Sequence, residues 1–262
     1  MARQSIHIVG ASLAGIRGAE ALRRRGFDGR IVLLGDEPHH PYDRPPLSKQ
    51  VLAGAWDADR TALTTPEKLD ALDLELRLGV AATGFELASR RLSTTEGDEV
   101  VDGLLIATGA RCRTLPGTDG VAGVHVLRSL DQTMALRSDL EAGPGRVVVV
   151  GAGFIGAEVA ATCRGRGLDV TMIEALPTPL GRVLGDRMGA VCADVHRQHG
   201  VDLRTGVGVE RIESGADRRV KAVVLSDGAV IPADVVVVGI GVVPNTEWLL
   251  SLIHISEPTR PY

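Results

Sequence analysis

Apolar positions along the chain fall into two closely similar patterns. Residues 6–37 read IHIVGASLAGIRGAEALRRRGFDGRIVLLGDE, and residues 147–174 read VVVVGAGFIGAEVAATCRGRGLDVTMIE. Each opens with a short β-branched run, turns on closely spaced glycines, passes through an alanine-rich amphipathic stretch, stops at a glycine and resumes in an apolar run ending in acid. These periods predict strand, turn, helix, strand, and the right-handedness of such crossovers places the two strands of each module parallel in one sheet. Gly10 and Gly151 hold the same place in the two copies, and so wide a separation signals a duplicated domain rather than a solenoid.

The turn glycines carry the candidate chemistry. In the second copy Gly151, Gly153 and Gly156 fill a GxGxxG pattern: one glycine for the tight turn, one to let a pyrophosphate approach the backbone, one for close helix-to-strand packing. Amides of the following residues, Phe154 and Ile155, then face phosphate together with the positive end of the helix dipole. Glu174 ends the second apolar run of this copy, where a carboxylate can accept the hydroxyls of an adenosine ribose. No arginine follows it closely, so NADH is expected over NADPH. The first copy reads Gly10, Ser12, Gly15, with Leu13 and Ala14 supplying the corresponding amides. Gly35 stands where the second copy has Glu174, and Asp36 or Glu37 is left to reach a ribose. An ordinary tight turn uses the same glycines. Two copies, each followed by a helix and an acid-ended strand, favour dinucleotide binding.

Composition narrows the reading further. With 262 residues and 44% hydrophobic content, the chain can bury the cores of two ordinary domains. A net charge of -4 gives no basic surplus for a nucleic-acid partner. The start of the chain lacks a secretory pattern, and the longest apolar stretch, residues 235–243, is broken by glycines and far below the roughly 20 residues of a membrane span. A cytoplasmic protein without a membrane segment is expected. Cys112, Cys163 and Cys192 form no CxxC pair and no metal-ligand cluster, so no metal is expected and all three read as ordinary buried thiols.

Several motifs together carry a family resemblance: GASLAG, YDRPPLSK at 42–49, LLIATGA at 104–110, VLRSLDQ at 126–132, GAGFIGAEVA and VVGIGVVPNTEWL at 237–249. The chain resembles, from about residue 5 to 250, the FAD-dependent NADH:ferredoxin reductases of bacterial oxygenase systems, within the pyridine nucleotide-disulfide oxidoreductase superfamily. The resemblance implies FAD and NADH as cofactors and a [2Fe–2S] ferredoxin (redoxin) as electron acceptor. Disulfide reductases of that superfamily carry a CxxxxC pair near the flavin; here no cysteine precedes Cys112, and RPPLSK stands in that region. The resemblance pairs Lys49 with Glu158 as the catalytic residues, a cation beside the flavin ring held by a carboxylate near the nicotinamide. It also implies that Arg44 lies near the flavin pyrophosphate, that Arg128 contacts flavin, that Ala82 meets the adenine and that Ala107, Thr108 and Gly109 lie against FAD. Arg182, Gly239, Ile240 and Gly241 would line the NADH channel. A solvated loop lysine, an exposed helix glutamate and surface arginines are the plain alternatives.

The fold class expected is α/β, two Rossmann-like dinucleotide-binding domains, with residues 1–112 as the first part of an FAD domain and 113–238 as an inserted NAD domain. Residues 239–250 would begin the return to the FAD domain. The resemblance implies a further strand and a C-terminal interface domain beyond that point, so the chain reads as truncated, with 251–262 as a non-native tail. The related alternatives are a flavoprotein passing electrons to oxygen, peroxide or a quinone, and a fragment that only binds NADH.

Overall fold

A computed structural model describes residues 4–249. The expected tail at 251–262 and the end of the expected return segment lie outside the described residues. The fold is α/β, with two compact Rossmann-like units. Within the described residues, unit 1 comprises 4–43, Thr61–Ala110 and 244–249, and unit 2 comprises Arg44–Arg60 and Arg111–Val243. Residues 44–60, which the order of motifs along the chain places in the first domain, thus belong to the second unit.

Unit 1 begins with β1 (Ser5–Val9), α1 (Leu13–Arg24) and β2 (Arg30–Gly35), followed by α2 (Pro66–Asp70) and β3 (Leu74–Leu78). After β4 (Ala82–Glu86), β5 (Arg91–Thr94) and β6 (Gly97–Val100) comes β7 (Gly103–Ile106). Its parallel sheet has the order β3-β2-β1-β7, while β4, β5 and β6 form a separate antiparallel sheet. Both faces of β1 and β2 are covered, so their side chains do not alternate with polar ones. Ile8, Ile31 and Leu33 pack under Ile16 and Ala19 of α1, and Val9, Val32 and Leu34 pack toward Phe85 and Leu92.

Unit 2 repeats the scheme. The chain changes unit within β8 (Ala110–Cys112), and β9 (Val124–His125), α3 (Leu130–Glu141), β10 (Arg146–Val150), α4 (Phe154–Gly165) and β11 (Asp169–Glu174) follow. Next come α5 (Gly181–Gln198), β12 (Asp202–Thr205), β13 (Val209–Ser214), β14 (Val220–Leu225), β15 (Val230–Pro232), β16 (Val235–Val238) and β17 (Val242–Pro244). The parallel sheet runs β12-β11-β10-β16-β9, and β13-β14-β15 form an antiparallel layer. Val148, Val150, Val236 and Val238 meet Val223 and Leu225 in its core. Ser129 starts α3 with a capping box, accepting from the Gln132 amide while the Gln132 side chain accepts from the Ser129 amide.

Residues 44–60 are fastened to unit 2 by a side chain of α3 and by Arg166, the C-cap of α4. Residues Leu47–Val51 form one π-helical turn, and Arg137 donates to the carbonyls of Val51 and Trp56 while Arg166 donates to that of Leu52 at 2.8 Å. The Leu52 and Trp56 carbonyls lie past the end of the turn, and that of Val51, its last residue, also accepts from the Gly54 amide at 3.0 Å. Guanidinium groups with several donors suit that task. Among the described residues no helix is long and apolar enough to cross a membrane.

Candidate functional site

The first glycine turn joins β1 to α1 in unit 1. Gly10 has φ +119°, and a Cβ there would stand 2.1 Å from the Ala107 carbonyl oxygen. A Cβ on Gly15 would stand 2.1 Å from the Gly10 carbonyl oxygen. Both positions exclude any side chain. Ser12 caps α1 in an extended conformation without a side-chain cap bond, leaving the amides of Leu13 and Ala14 without intrahelical acceptors. Gly10 donates to Leu34 O at 2.8 Å, so Gly35 is the residue immediately beyond the turn, and Asp36 beside it is exposed. Glu37 accepts from the Tyr42 hydroxyl at 2.5 Å. Ala82 opens β4. Thr108 and Asn245 are bonded reciprocally: Thr108 Oγ1 donates to Asn245 O at 2.8 Å and Asn245 Nδ2 to Thr108 O at 3.0 Å. The Asn245 amide also donates to Gly109 O, so the residues expected against FAD are backed by the PNTEWL segment.

The second turn joins β10 to α4 in unit 2. Gly151 has φ +96°, a Cβ on it would stand 2.4 Å from the Gly239 carbonyl oxygen, and one on Gly156 would stand 1.9 Å from that of Gly151. Gly153 caps α4 without a side chain, and nothing lies within 4 Å of where its Cβ would be. Free amides of Phe154 and Ile155 therefore face open space, the arrangement an anionic pyrophosphate fits. Glu174 closes one side: its Oε2 accepts from the Ala152 amide at 2.7 Å and its Oε1 from the Leu176 amide at 2.9 Å. A carboxylate has about four acceptor sites, so two are left for hydroxyl donors.

Beside this turn unit 2 contains a cavity of ≈ 570 Å³, lined by Arg44, Pro45, Lys49, Cys112, Leu127, Arg128, Gly153, Phe154, Ile155, Glu158, Val238, Gly239, Gly241 and Val242. Its charged centre is an ion pair: Lys49 Nζ lies 2.8 Å from Glu158 Oε2, with the side chains 41% and 30% exposed. Ser48 Oγ donates to the same oxygen at 2.5 Å, and Lys49 Nζ also donates to Pro45 O at 2.9 Å. Arg44 Nη1 donates to Arg128 O at 2.7 Å. The wall is otherwise largely aliphatic, so the cavity can take a flat apolar ring and meet it with two arginines, one lysine and one carboxylate.

The geometry brings Arg44, Lys49, Arg128, Gly153, Phe154, Ile155, Glu158, Gly239 and Gly241 to one cavity wall. Arg182, exposed in the first turn of α5, and Ile240, 37% exposed, do not line this cavity; Ile240 lies against the second turn, its Cγ2 3.4 Å from where a Cβ on Gly151 would be. The left-handed Leu180 that precedes α5 and the break at Gly185 inside it set a local path that spacing along the sequence did not reveal. Only Cys163 is the buried thiol expected of all three; burial pushes it up to about 12. Cys112 and Cys192 are half-buried, and Cys112 lines the cavity, its thiol raised by burial against an opposing pull from Arg128 and Arg44. Ser48, Cys112 and Asn245 were missed as site residues. Ser48 and Asn245 lie inside the quoted motifs YDRPPLSK and VVGIGVVPNTEWL, which was the available signal. Among the described residues no group of three or more metal-ligating side chains is assembled.

Residues 4–256 match the family described as "Pyridine nucleotide-disulphide oxidoreductase". The chain is 42% identical over 245 residues to rhodocoxin reductase of Rhodococcus erythropolis, covering 93% of this chain and 57% of the relative. It is also 42% identical to the biphenyl dioxygenase system ferredoxin–NAD(+) reductase component of Paraburkholderia xenovorans (strain LB400), covering 93% and 59%. The fold superposes on the crystal structure of the covalent putidaredoxin reductase–putidaredoxin complex with a TM-score of 0.91 and 37% identity, over 96% of this chain and 61% of that one. The chain thus spans less than two thirds of the length of these relatives.

Proposed function

The chain belongs to the pyridine nucleotide-disulphide oxidoreductase family, and from that premise we propose that it is the nucleotide-binding part of an NADH-dependent ferredoxin reductase. The observation that carries the proposal is the Lys49–Glu158 pair at 2.8 Å in a cavity that opens beside a side-chain-free dinucleotide turn. In this reading the first turn, through Gly10, Ser12, Leu13, Ala14 and Gly15, holds the pyrophosphate of FAD, with Asp36, Ala82, Ala107, Thr108 and Gly109 as its further contacts. The second turn, through Gly151, Gly153 and Gly156, holds that of NADH. Glu174 selects NADH, because a 2′-phosphate beside a carboxylate already bound to two amides is repelled. Bound FAD supplies the chemistry of accepting hydride and releasing electrons singly.

The chain's own residues bind, orient and neutralise. Arg44 and Arg128 supply fixed positive charge in the cavity, and Lys49 supplies a cation for negative charge on reduced flavin. Glu158 holds Lys49 in place and faces the nicotinamide end. No cysteine precedes Cys112, so the CxxxxC pair of the disulfide reductases has no counterpart in RPPLSK, and the proposed acceptor is a [2Fe–2S] ferredoxin serving an oxygenase. A cytoplasmic location, where NADH is supplied, belongs to the same proposal.

The test is an absorbance spectrum of the purified chain incubated with FAD and desalted, then mixed anaerobically with NADH. Retained flavin bands that bleach on mixing are the expected result. Flavin retained but unbleached would overturn the assignment of the Lys49–Glu158 cavity. A colourless protein that still quenches NADH fluorescence would reduce the chain to an NADH-binding unit.

A further inference from the structure

The turn that carries Lys49 is wound in an unusual register. The Val51 amide donates to Pro46 O at 3.0 Å and the Leu52 amide to Leu47 O at 3.2 Å, each five residues back, whereas the Ala53 amide returns to Lys49 O, four back, at 2.7 Å. The change of register skips one carbonyl. That carbonyl is Ser48 O, and it accepts instead from Thr162 Oγ1 at 2.8 Å. Single π turns are rare and unfavourable by themselves, so something outside the turn holds this one. The consequence for side chains is direct: consecutive residues of a helix point about 100° apart and do not meet one partner, yet Ser48 Oγ and Lys49 Nζ converge on Glu158 Oε2 at 2.5 and 2.8 Å.

The partner surface is one ridge of α4. Glu158 and Thr162 of α4 and Arg166, the residue that caps its C-terminus, are spaced by four and so follow one line along the helix. They bind in succession the Ser48 hydroxyl, the Ser48 carbonyl and the Leu52 carbonyl. We propose that Thr162 and Ser48 are positioning residues of the hydride-transfer site: Thr162 fixes the π register by taking the skipped carbonyl, and that register delivers Ser48 and Lys49 together onto Glu158. Neither touches the reacting atoms. Their work is to aim one carboxylate and one ammonium into the cavity, and the inference rests on the reading of that cavity as the NADH site.

The test is a double-mutant cycle on NADH affinity, read by fluorescence quenching of the apoprotein, so that it does not depend on flavin retention. Thr162→Val keeps the shape and removes the donor; about fivefold weaker NADH binding is expected, the worth of one hydrogen bond. Thr162→Ser, which restores the hydroxyl, should return affinity to within about twofold of the parent. In a Glu158→Gln background Thr162→Val should lose most of its effect, because a residue acting through another is non-additive with it. Ser48→Ala should show the same dependence on Glu158, and serves where Thr162→Val does not fold. Equal losses in both backgrounds, or no loss at all, would overturn the positioning role while leaving the NADH site standing. A parent chain that fails to bind NADH would overturn the site reading and this inference with it.

Discussion

The two glycine turns use the same skeleton for unequal ends. Gly10 and Gly151 both have left-handed φ, +119° and +96°, and each would press a Cβ into the carbonyl of the strand end opposite, Ala107 or Gly239. Gly15 and Gly156 would each press one into the carbonyl of the first glycine, at 2.1 and 1.9 Å. Only the middle position differs: Ser12 in one turn and Gly153 in the other, both extended, with φ −129° and −76°. A serine is accommodated there without backbone strain. The first and third glycines therefore belong to the architecture of the turn, and the middle one belongs to what approaches it. The acid differs too. Glu174 bonds the Ala152 amide inside the second turn, while Gly35 brings no carboxylate to the first.

The strongest way to break this comparison is at a third glycine. Gly156→Ala places a methyl 1.9 Å from backbone that cannot move independently of the strand, and should destabilise unit 2 by about 3 kcal/mol, an overpacking cost exceeding the helix-propensity gain of alanine. Urea unfolding followed by circular dichroism measures it; a loss below about 1 kcal/mol would show that the turn yields. Gly153→Ala separates ligand from architecture. Nothing lies within 4 Å of the new methyl, so stability should change by less than about 0.5 kcal/mol, while NADH binding weakens about tenfold as the methyl meets the pyrophosphate. Calorimetric titration with NADH decides it, and an unchanged affinity would return Gly153 to the plain tight turn.

Much of this skeleton was legible because it is local. Strand valines, turn glycines and the helix between them sit within about 30 residues of one another. The equivalence of Gly35 with Glu174 was readable too: Gly10 donates to Leu34 O and Gly151 to Ile173 O, the register that alignment of the two copies gives. What escaped depends on partners far away in sequence. Residues 44–60 join unit 2 because Arg137, Thr162 and Arg166, on helices much later in the chain, reach their carbonyls. No periodicity records such bonds. The π register of Leu47–Val51 left no mark either, since it is defined by which carbonyl is skipped. A motif fixes an order along the chain, and local backbone geometry decides which side chains reach the cavity: Arg182 and Ile240 are not among its lining residues.

The two copies also differ in their central strands. His7 in β1 occupies the place of Val148 in β10, counting from the turn glycines, and both are 1% exposed. His7 Nε2 lies 3.0 Å from Glu99 Oε2, but its Nδ1 has no partner. Burial holds its pKa below the ordinary value of 6.5, outweighing the pull of Glu99. The folded state therefore keeps the ring neutral where the unfolded chain begins to bind a proton. Since the unfolded state then holds more protons, stability rises with pH. Unit 1 should lose stability as pH falls below about 6.5, and His7→Val, which copies the second module, should flatten that dependence. Urea midpoints at pH 7.5 and 5.5 test the sign, and a parent protein more stable at the lower pH would refute it.

The smallest effect expected is the most diagnostic of what the middle position does. Ser12 makes no side-chain cap bond, and replacing a serine cap by glycine costs only a few tenths of a kcal/mol even where such a bond exists. Ser12→Gly should therefore leave unfolding within about 0.3 kcal/mol of the parent. If the first turn holds a pyrophosphate through backbone amides alone, flavin affinity should stay within about twofold, since the amides of Leu13 and Ala14 are unchanged. If instead the hydroxyl turns toward the phosphates once they arrive, affinity should fall about fivefold, the worth of one hydrogen bond. Equilibrium dialysis against FAD distinguishes the two. The first result would make the turns equivalent apart from Gly35 and Glu174, and the second would make Ser12 a ligand in its own right.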